Sequence, residues 1–407
     1  MNQILESVAI ALQSIWASKL RSFMTVLGNI VAVASIVTVV SLIQGMNSMV
    51  SSAIVTDVGA DGFTIQRRPI TRTDDEEERT RNNPNITLAE ADAVKAFSPV
   101  IASVVAQANR PGIITYRDQV LENIQIQGVT SEYVNFTTFD AERGRLMSPT
   151  EVERNQPLVV IGYDVAEQLF GDLTPIDRTI KLQGVHFRVV GVSEKKGSVF
   201  GNSMDHFAVI PIGAHMKLFG SRPNLSLMVK PVSTEALPAA MDDATVALRV
   251  ARRLKPAEPD NFGIFTSDTL LGLYRQATNG IFAVLVGIVA LSLVVGGIVI
   301  MNIMLMVVSE RTREIGLRKA LGARRKDIMS QVLTESVTLS TVGGLAGIAL
   351  GSLAARAISA VTPLPARLEP WSILLGIGIT AAVGLFFGAY PASRAARLDP
   401  IEALRRE

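Results

Sequence analysis

His186, His206 and His215 are the only imidazoles in 407 residues, and cysteine is absent. A zinc site needs three or four N, O or S ligands brought together. His186 lies in an alternating apolar stretch. His206 and His215 have no second His or carboxylate at ligand spacing. No metal centre is expected, and without thiols there is neither a disulfide framework nor a thiolate nucleophile; an oxidising compartment is permitted but not indicated. A Gly-x-Ser-x-Gly elbow is missing, so a hydrolase nucleophile has no support. So is the Gly-x-x-x-x-Gly-Lys-Ser/Thr phosphate loop; the nearest glycine-and-lysine stretch, residues 191–197, lacks the required order. No nucleotide cradle is encoded. Asn85-Ile86-Thr87 and Asn135-Phe136-Thr137 match the glycosylation pattern and read most simply as coincidence. Catalytic, cofactor-binding and metal-binding residues are therefore all expected to be none.

The chemistry that remains is electrostatic and concentrated. Residues 309–327 carry Arg311, Arg313, Arg318, Lys319, Arg324, Arg325 and Lys326 against Glu310, Glu314 and Asp327. Ile315, Leu317, Ala320 and Leu321 recur among them at roughly helical spacing. Glu314 and Arg318, four apart, add about 0.3 kcal/mol to a helix. Gly322 is placed to end it in the left-handed conformation. Two readings stand side by side: a basic loop that only sets topology, or a short helix, with Gly316 in its middle, that docks on a partner.

The elements around this stretch are apolar and long. The chain is 48% hydrophobic and 19% charged, with a mean hydropathy of +0.33. That is too apolar for an ordinary soluble protein and too charged for one lying wholly in lipid. Residues 1–21 read as an amphipathic helix with Trp16 at headgroup level. Residues 22–56 hold no charge, and their strongest part, 25–43, suits one span. A signal peptide competes, since Ala32-Val33-Ala34 resembles a cleavage site, but the apolar run continues past it. Spans are expected over 22–45, 281–308, 331–356 and 371–390, with a cytoplasmic tail over 391–407. Gly343, Gly347 and Gly351 make a small-xxx-small ridge on the third, for close helix packing.

Residues 46–280 form a domain-sized polar region with an α+β pattern. Strands are expected at 63–66, 124–128, 158–161, 179–182, 185–192 and 208–212. Thr87-x-x-Glu90 is a capping box opening a helix, and residues 164–170 suggest another. Residues 67–84, dense in charge, read as a mobile surface loop. The domain divides, with 127–217 as an insertion. Residues 266–276 run without a breaker into the second span, predicting one helix that leaves the membrane, and residues 46–56 predict a matching projection.

Basic residues orient the spans. Lys19 and Arg21 precede the first, the 309–330 segment separates the second and third, and Arg394, Arg397, Arg405 and Arg406 follow the fourth. All three fall on one side of a four-span chain, which the positive-inside tendency makes the cytoplasm, with both termini there. No charge lies mid-span, which argues against an ion relay. A net charge of +2 without a basic, aromatic-interleaved face excludes a nucleic-acid partner.

The stretch Ser309-Glu310-Arg311-Thr312-Arg313-Glu314-Ile315-Gly316-Leu317-Arg318-Lys319-Ala320-Leu321-Gly322-Ala323 closely resembles the signature of macrolide-exporter-type permeases, the MacB/FtsX-like type VII ABC transporters. So does Gly388-Ala389-Tyr390-Pro391-Ala392-Ser393-Arg394-Ala395-Ala396-Arg397-Leu398-Asp399-Pro400-Ile401-Glu402-Ala403-Leu404-Arg405. Arg143-Gly144-Arg145, Val159-Val160-Ile161-Gly162 and Val189-Val190-Gly191-Val192 resemble the family's external domain more loosely. The resemblance covers essentially the whole chain. It implies a membrane protein of four transmembrane α-helices with a large α+β extracytoplasmic domain, a porter part with an inserted subdomain, between helices 1 and 2. It further implies a dimer in the inner (cytoplasmic) membrane, and a coupling helix at 309–330 gripping an ABC ATPase. Without a phosphate loop, ATP is expected to bind a separate ATPase subunit.

The expected function is mechanotransmission: ATP hydrolysis by the partner moves the external domain and drives efflux of a periplasmic or outer-leaflet substrate, with a possible periplasmic adaptor. Ile315, Leu317, Ala320 and Leu321 would seat the coupling helix, and Arg311, Arg318 and Lys319 would fix its register. The alternatives are an FtsX-like regulator of a cell-wall hydrolase or sensor, and a lipoprotein-release permease. A membrane enzyme, the rival of a different class, lacks a convergent catalytic set.

Overall fold

The computed structural model describes residues 19–58, 61–70, 74–136, 140–199 and 201–405. The amphipathic helix expected over residues 1–21, with Trp16, lies outside them up to residue 18. Two compact units emerge, one formed by residues up to Met49 plus those from Gln276 onward, the other by Val50–Arg275.

The described residues open with helix α1 (Lys19–Val58), whose apolar part, Leu27–Ile54, is 28 residues long. At about 1.5 Å per residue this exceeds the ~30 Å hydrocarbon thickness. No break separates the span from the projection expected after it.

The α+β unit follows. Strand β1 (Phe63–Gln66) leads to a short helix α2 (Asp74–Thr80) with no buried residue and four carboxylates in its first turn, where the helix dipole favours them. The 67–84 segment is closed at its base: Arg67 donates to the carbonyls of Asn83 and Arg81, and Asn83 Nδ2 donates back to the Arg67 carbonyl at 3.0 Å. Side chain–backbone bonds sixteen residues apart thus tie the ends of the segment expected as a loop. Helix α3 (Leu88–Phe97) begins with the expected capping box, Glu90 N–H donating to Thr87 Oγ1 and Thr87 N–H to Glu90 Oε2. Glu90 also pairs with Arg252 at 2.6 Å, both nearly buried.

Strands β2 (Ile101–Tyr116) and β3 (Gln119–Val129) form a long hairpin. Then come β4 (Ala141–Gly144), α4 (Pro149–Glu153), β5 (Leu158–Ile161), α5 (Tyr163–Phe170), β6 (Thr179–Leu182) and β7 (Val185–Ser193). They are followed by the small pair β8 (Ser198–Val199) and β9 (Asn202–Ser203), then β10 (Phe207–Pro211), α6 (Ile212–Phe219), β11 (Leu225–Pro231), α7 (Leu237–Ala251) and β12 (Gly263–Thr266). The main sheet runs β12-β1-β11-β2-β3-β10-β5-β7-β4, with β6 pairing β2 and β7. Among the described residues only β10 with β3 and β5 with β7 are parallel.

Burial alternates with a period of two in β6 and β11, whereas β5 and β10 are buried along their whole length because both faces are covered. One core gathers Phe63, Ile65, Val104, Leu227 and Val229 under α3 and α7. A second gathers Ile114, Ile126, Val159, Phe187 and Ile210 with Leu169 of α5. Residues of β2 enter both cores, and Gln127, the expected start of the insertion, lies inside β3. The two parts therefore share one continuous ribbon.

The loosely matched Arg143-Gly144-Arg145 has a definite structural task. Gly144 has φ +79, and a Cβ there would stand 2.3 Å from the Val190 carbonyl oxygen, so only glycine fits. The Arg145 guanidinium then meets both Glu151 oxygens, at 2.7 Å each. This bidentate bond, more than Glu151's place in the Ser148 capping box, holds its carboxyl down to about 2.

His215 on α6 is fully buried, its ring 4.8 Å from that of Phe219. Burial first, and then the Arg110 charge, push its imidazole down to about 4. The free value is near 6.5, so the unfolded chain takes up the proton first. Stability that is complete above pH ~6.5 is therefore lost as pH falls toward ~4, on the order of 3 kcal/mol. Hydrogen exchange across β10 and α6 should accelerate over that interval, and His215→Leu should flatten the dependence. An equal slope in the variant would assign the effect to other groups.

Helix α8 (Ser267–Glu310) is a single 44-residue helix, as residues 266–308 predicted. After the short α9 (Thr312–Ala320) come α10 (Arg325–Val361), α11 (Pro370–Arg397) and α12 (Pro400–Arg405). Among the described residues four helices, α1, α8, α10 and α11, are long and apolar enough to cross a membrane. Their packing uses small residues and interhelical hydrogen bonds, as lipid-embedded bundles do. Asn29 Nδ2 donates to the Ser340 carbonyl at 2.7 Å, Ser336 Oγ to that of Gly384 at 2.9 Å, and Thr38 Oγ1 to that of Gly351 at 3.1 Å. The Gly343, Gly347 and Gly351 ridge is buried; at Gly347 and Gly351 it faces α1.

Candidate coupling interface

Helix α9 exists because the chain is stopped on both sides of it. Backbone angles leave the helical range at Arg311 (φ −93, ψ 14), ending α8. At the other end Gly322 has φ +103. Its N–H donates to the Lys319 carbonyl at 3.1 Å, and that of Ala323 to Arg318 at 3.1 Å. This is the Schellman pattern, which satisfies carbonyls the helix itself leaves open. Asp327 then accepts from the Arg324 N–H at 2.9 Å and starts α10.

The helix has two faces. Ile315 (7% exposed) joins the core with Met304, Val308, Ile328 and Val332, and Gly316 is buried beside it. Leu317 is 52% and Leu321 81% exposed, and Arg313, Glu314, Ala320 and Gly322 are exposed with them. Of the four apolar residues expected to seat the helix, Ile315 is packed into the protein's own core, while Leu317, Ala320 and Leu321 are exposed.

The cations expected to fix register are likewise engaged within the chain. Arg311 pairs with Glu335 of α10 at 3.4 Å. Arg318 bonds Gln331 of α10 at 2.7 Å and pairs with Glu314. Lys319 Nζ donates to the carbonyls of Ala396, at 3.0 Å, and Leu398, where α11 ends. The outward set is thus Leu317, Ala320 and Leu321, flanked by Arg313 and by Arg324, Arg325 and Lys326, all exposed.

The two stretches whose sequences stood out are joined here. α9 comes from the first, and the end of α11 with α12 from the second. Residues 22–247 match the MacB-like periplasmic core domain, and residues 286–400 match the FtsX-like permease C-terminal domain. Over 416 residues the chain is 30% identical to the ABC transporter permease YknZ of Bacillus subtilis, covering 99% of this chain and all of that one. The chain belongs to the MacB-like ABC transporter permease family. Two macrolide export ATP-binding/permease proteins MacB, from Bdellovibrio bacteriovorus and Chlorobaculum tepidum, are 34% and 33% identical across the whole of this chain. The chain spans 62% of the length of each.

In this MacB-like permease the histidines stay apart. His206 Nε2 is 2.8 Å from Gln168 Nε2, His215 is buried, and His186 is exposed on β7. Among the described residues no three His, Asp or Glu side chains gather as metal ligands. Sequence reasoning missed one concave feature. A cleft of about 280 Å³ opens on the face of β2 and β3, where Gln107, Asn109, Gln125 and Gln127 stand beside Tyr133 and Phe207. The spacing of two hints at one face of each strand, but the hairpin register that brings the four amides together is not readable from composition.

Proposed function

We propose that this chain is the membrane subunit of an ABC complex that turns ATP hydrolysis by a partner subunit into movement of its α+β domain. The observation that carries the reading is the exposed Leu317–Leu321 face on a helix held at both ends and clamped to α10. Leu317, Ala320 and Leu321 form one contiguous exposed apolar patch on this charged segment, which supports a protein contact there. In this reading α9 lies in the cytoplasm with both termini and the basic tail, and the α+β domain lies outside. Two copies of the chain form the working unit in the inner membrane.

In this reading a partner subunit supplies the nucleotide site, and no phosphate loop lies within these 407 residues. Closure of the ATPase would displace α9, and the continuous helices α1 and α8 would carry the displacement outward. The work done there is efflux of a periplasmic or outer-leaflet substrate, handed on to an adaptor protein where one is present. The relatives' names favour export over regulation of a cell-wall hydrolase.

The test is co-purification of the tagged full chain from its native membrane. A stoichiometric subunit bearing a phosphate loop, with ATP hydrolysis that changes when the permease is reconstituted in lipid, is the expected result. Recovery of the intact permease with no such subunit and no hydrolysis would overturn the assignment.

A further inference from the structure

We propose that Lys319 latches the docking helix α9 to the end of the fourth membrane helix, with Gly316 as the notch that lets α12 close over the joint. The inference deepens the proposed function, because it rests on α9 being where force enters. It changes the route that force takes, and it makes Lys319 and Gly316 positioning residues.

Three observations converge. A helix leaves its last carbonyls without intrahelical partners and carries partial negative charge there. At the end of α11 those of Ala396 and Leu398 both accept from the Lys319 ammonium, which reaches them from a helix 77 and 79 residues away in sequence. The chain then turns back through α12, whose Ala403 is buried against Gly316. A Cβ on Gly316 would stand 2.6 Å from the Ala403 Cβ, closer than side chains tolerate, so α12 reaches α9 only across a bare backbone. Finally, helical backbone angles are lost at Arg311, between α8 and α9.

The join of α8 to α9 is bridged by Thr312, which donates to the Val308 and Ser309 carbonyls, and α9 is in addition tied to α11 by charge-assisted hydrogen bonds. It is tied to α10 through Arg318–Gln331 and Arg311–Glu335, and α10 is bonded to α11 through Ser336. A pull on α9 moves α10 and α11 as one body, so the third and fourth spans are driven parts.

The absence of cysteine makes this directly measurable. Spin labels on Arg313→Cys and Arg394→Cys, both exposed, report the α9–α11 distance in the full chain reconstituted in lipid nanodiscs, without any ATPase. Val342→Cys with Leu385→Cys reports whether α10 and α11 still pack. The expected result is one narrow α9–α11 distance in the parent, lost in Lys319→Met and in Gly316→Val, and restored in Lys319→Arg, whose guanidinium also reaches two carbonyls. The α10–α11 distance should stay fixed throughout. A narrow α9–α11 distance that survives Lys319→Met overturns the latch. So does a change in both distances together, which would make Lys319 a folding residue. Neither outcome touches the docking reading, which is decided by whether the ATPase subunit leaves when Leu317 and Leu321 are changed.

Discussion

On the proposed docking of α9, the double variant Leu317→Asp, Leu321→Asp should fold, reach the membrane and lose the ATP-binding subunit. Both side chains point away from the protein's own core, at 52% and 81% exposure, so replacing them leaves the four-helix packing untouched. In the complex each leucine would bury a side chain worth about 2 kcal/mol, and each aspartate would bring an unpaired carboxylate into an apolar groove. The combined loss of at least ~4 kcal/mol is about a thousandfold in affinity. The measurement is hydrolysis recovered with the tagged permease and titration of the purified subunit. Recovery equal to the parent's would remove the exposed face of α9 from the interface. Ile315→Asp makes the informative contrast: at 7% exposure it should reduce the yield of folded permease before any question of docking arises.

Second in expected size is the close contact between α1 and α10. A Cβ at Gly347 would lie 2.8 Å from the Ile30 carbonyl oxygen, and at Gly351 2.7 Å from that of Ala34. Valine at either position must push two membrane helices apart, breaking the Thr38–Gly351 hydrogen bond and the contact of Val33 and Val37 with Ile348. Overpacking of this kind costs about 1–3 kcal/mol per site, and the two sites together should leave little folded protein in the membrane. Gly378→Ala is the control, since a Cβ there meets nothing within 4 Å. Unfolding in mixed micelles followed by far-UV circular dichroism gives the comparison. If Gly347→Val and Gly378→Ala unfold alike, the ridge is not a packing surface.

What could be read before the fold was known divides by range. The Thr87–Glu90 capping box, the stop at Gly322 and the strands at 63–66, 158–161 and 179–182 are local: neighbouring residues decide them, so they appear in the sequence as they do in the structure. The four long apolar helices are equally plain, because length and hydropathy alone carry them. The division of α9 into inner and outer faces is not local. Ile315 and Leu317 are both apolar, and only the neighbouring Ile328 and Val332 show which one is buried. The partners of Lys319 lie far away in sequence and are backbone carbonyls, which leave no trace in residue type. The closed base of the 67–84 segment escaped for the same reason, since Arg67 bonds carbonyls.

The β2–β3 hairpin constrains anyone who would exchange parts between relatives. β2 pairs with β11 and β6 along its outer edge, and β3 pairs with β10 along the other. A graft cut at Gln127 would sever the ladder midway and orphan amides on both donor and recipient. Swapping the outer lobe means transplanting the whole ribbon, 101–129, together with whatever recognises its neighbours.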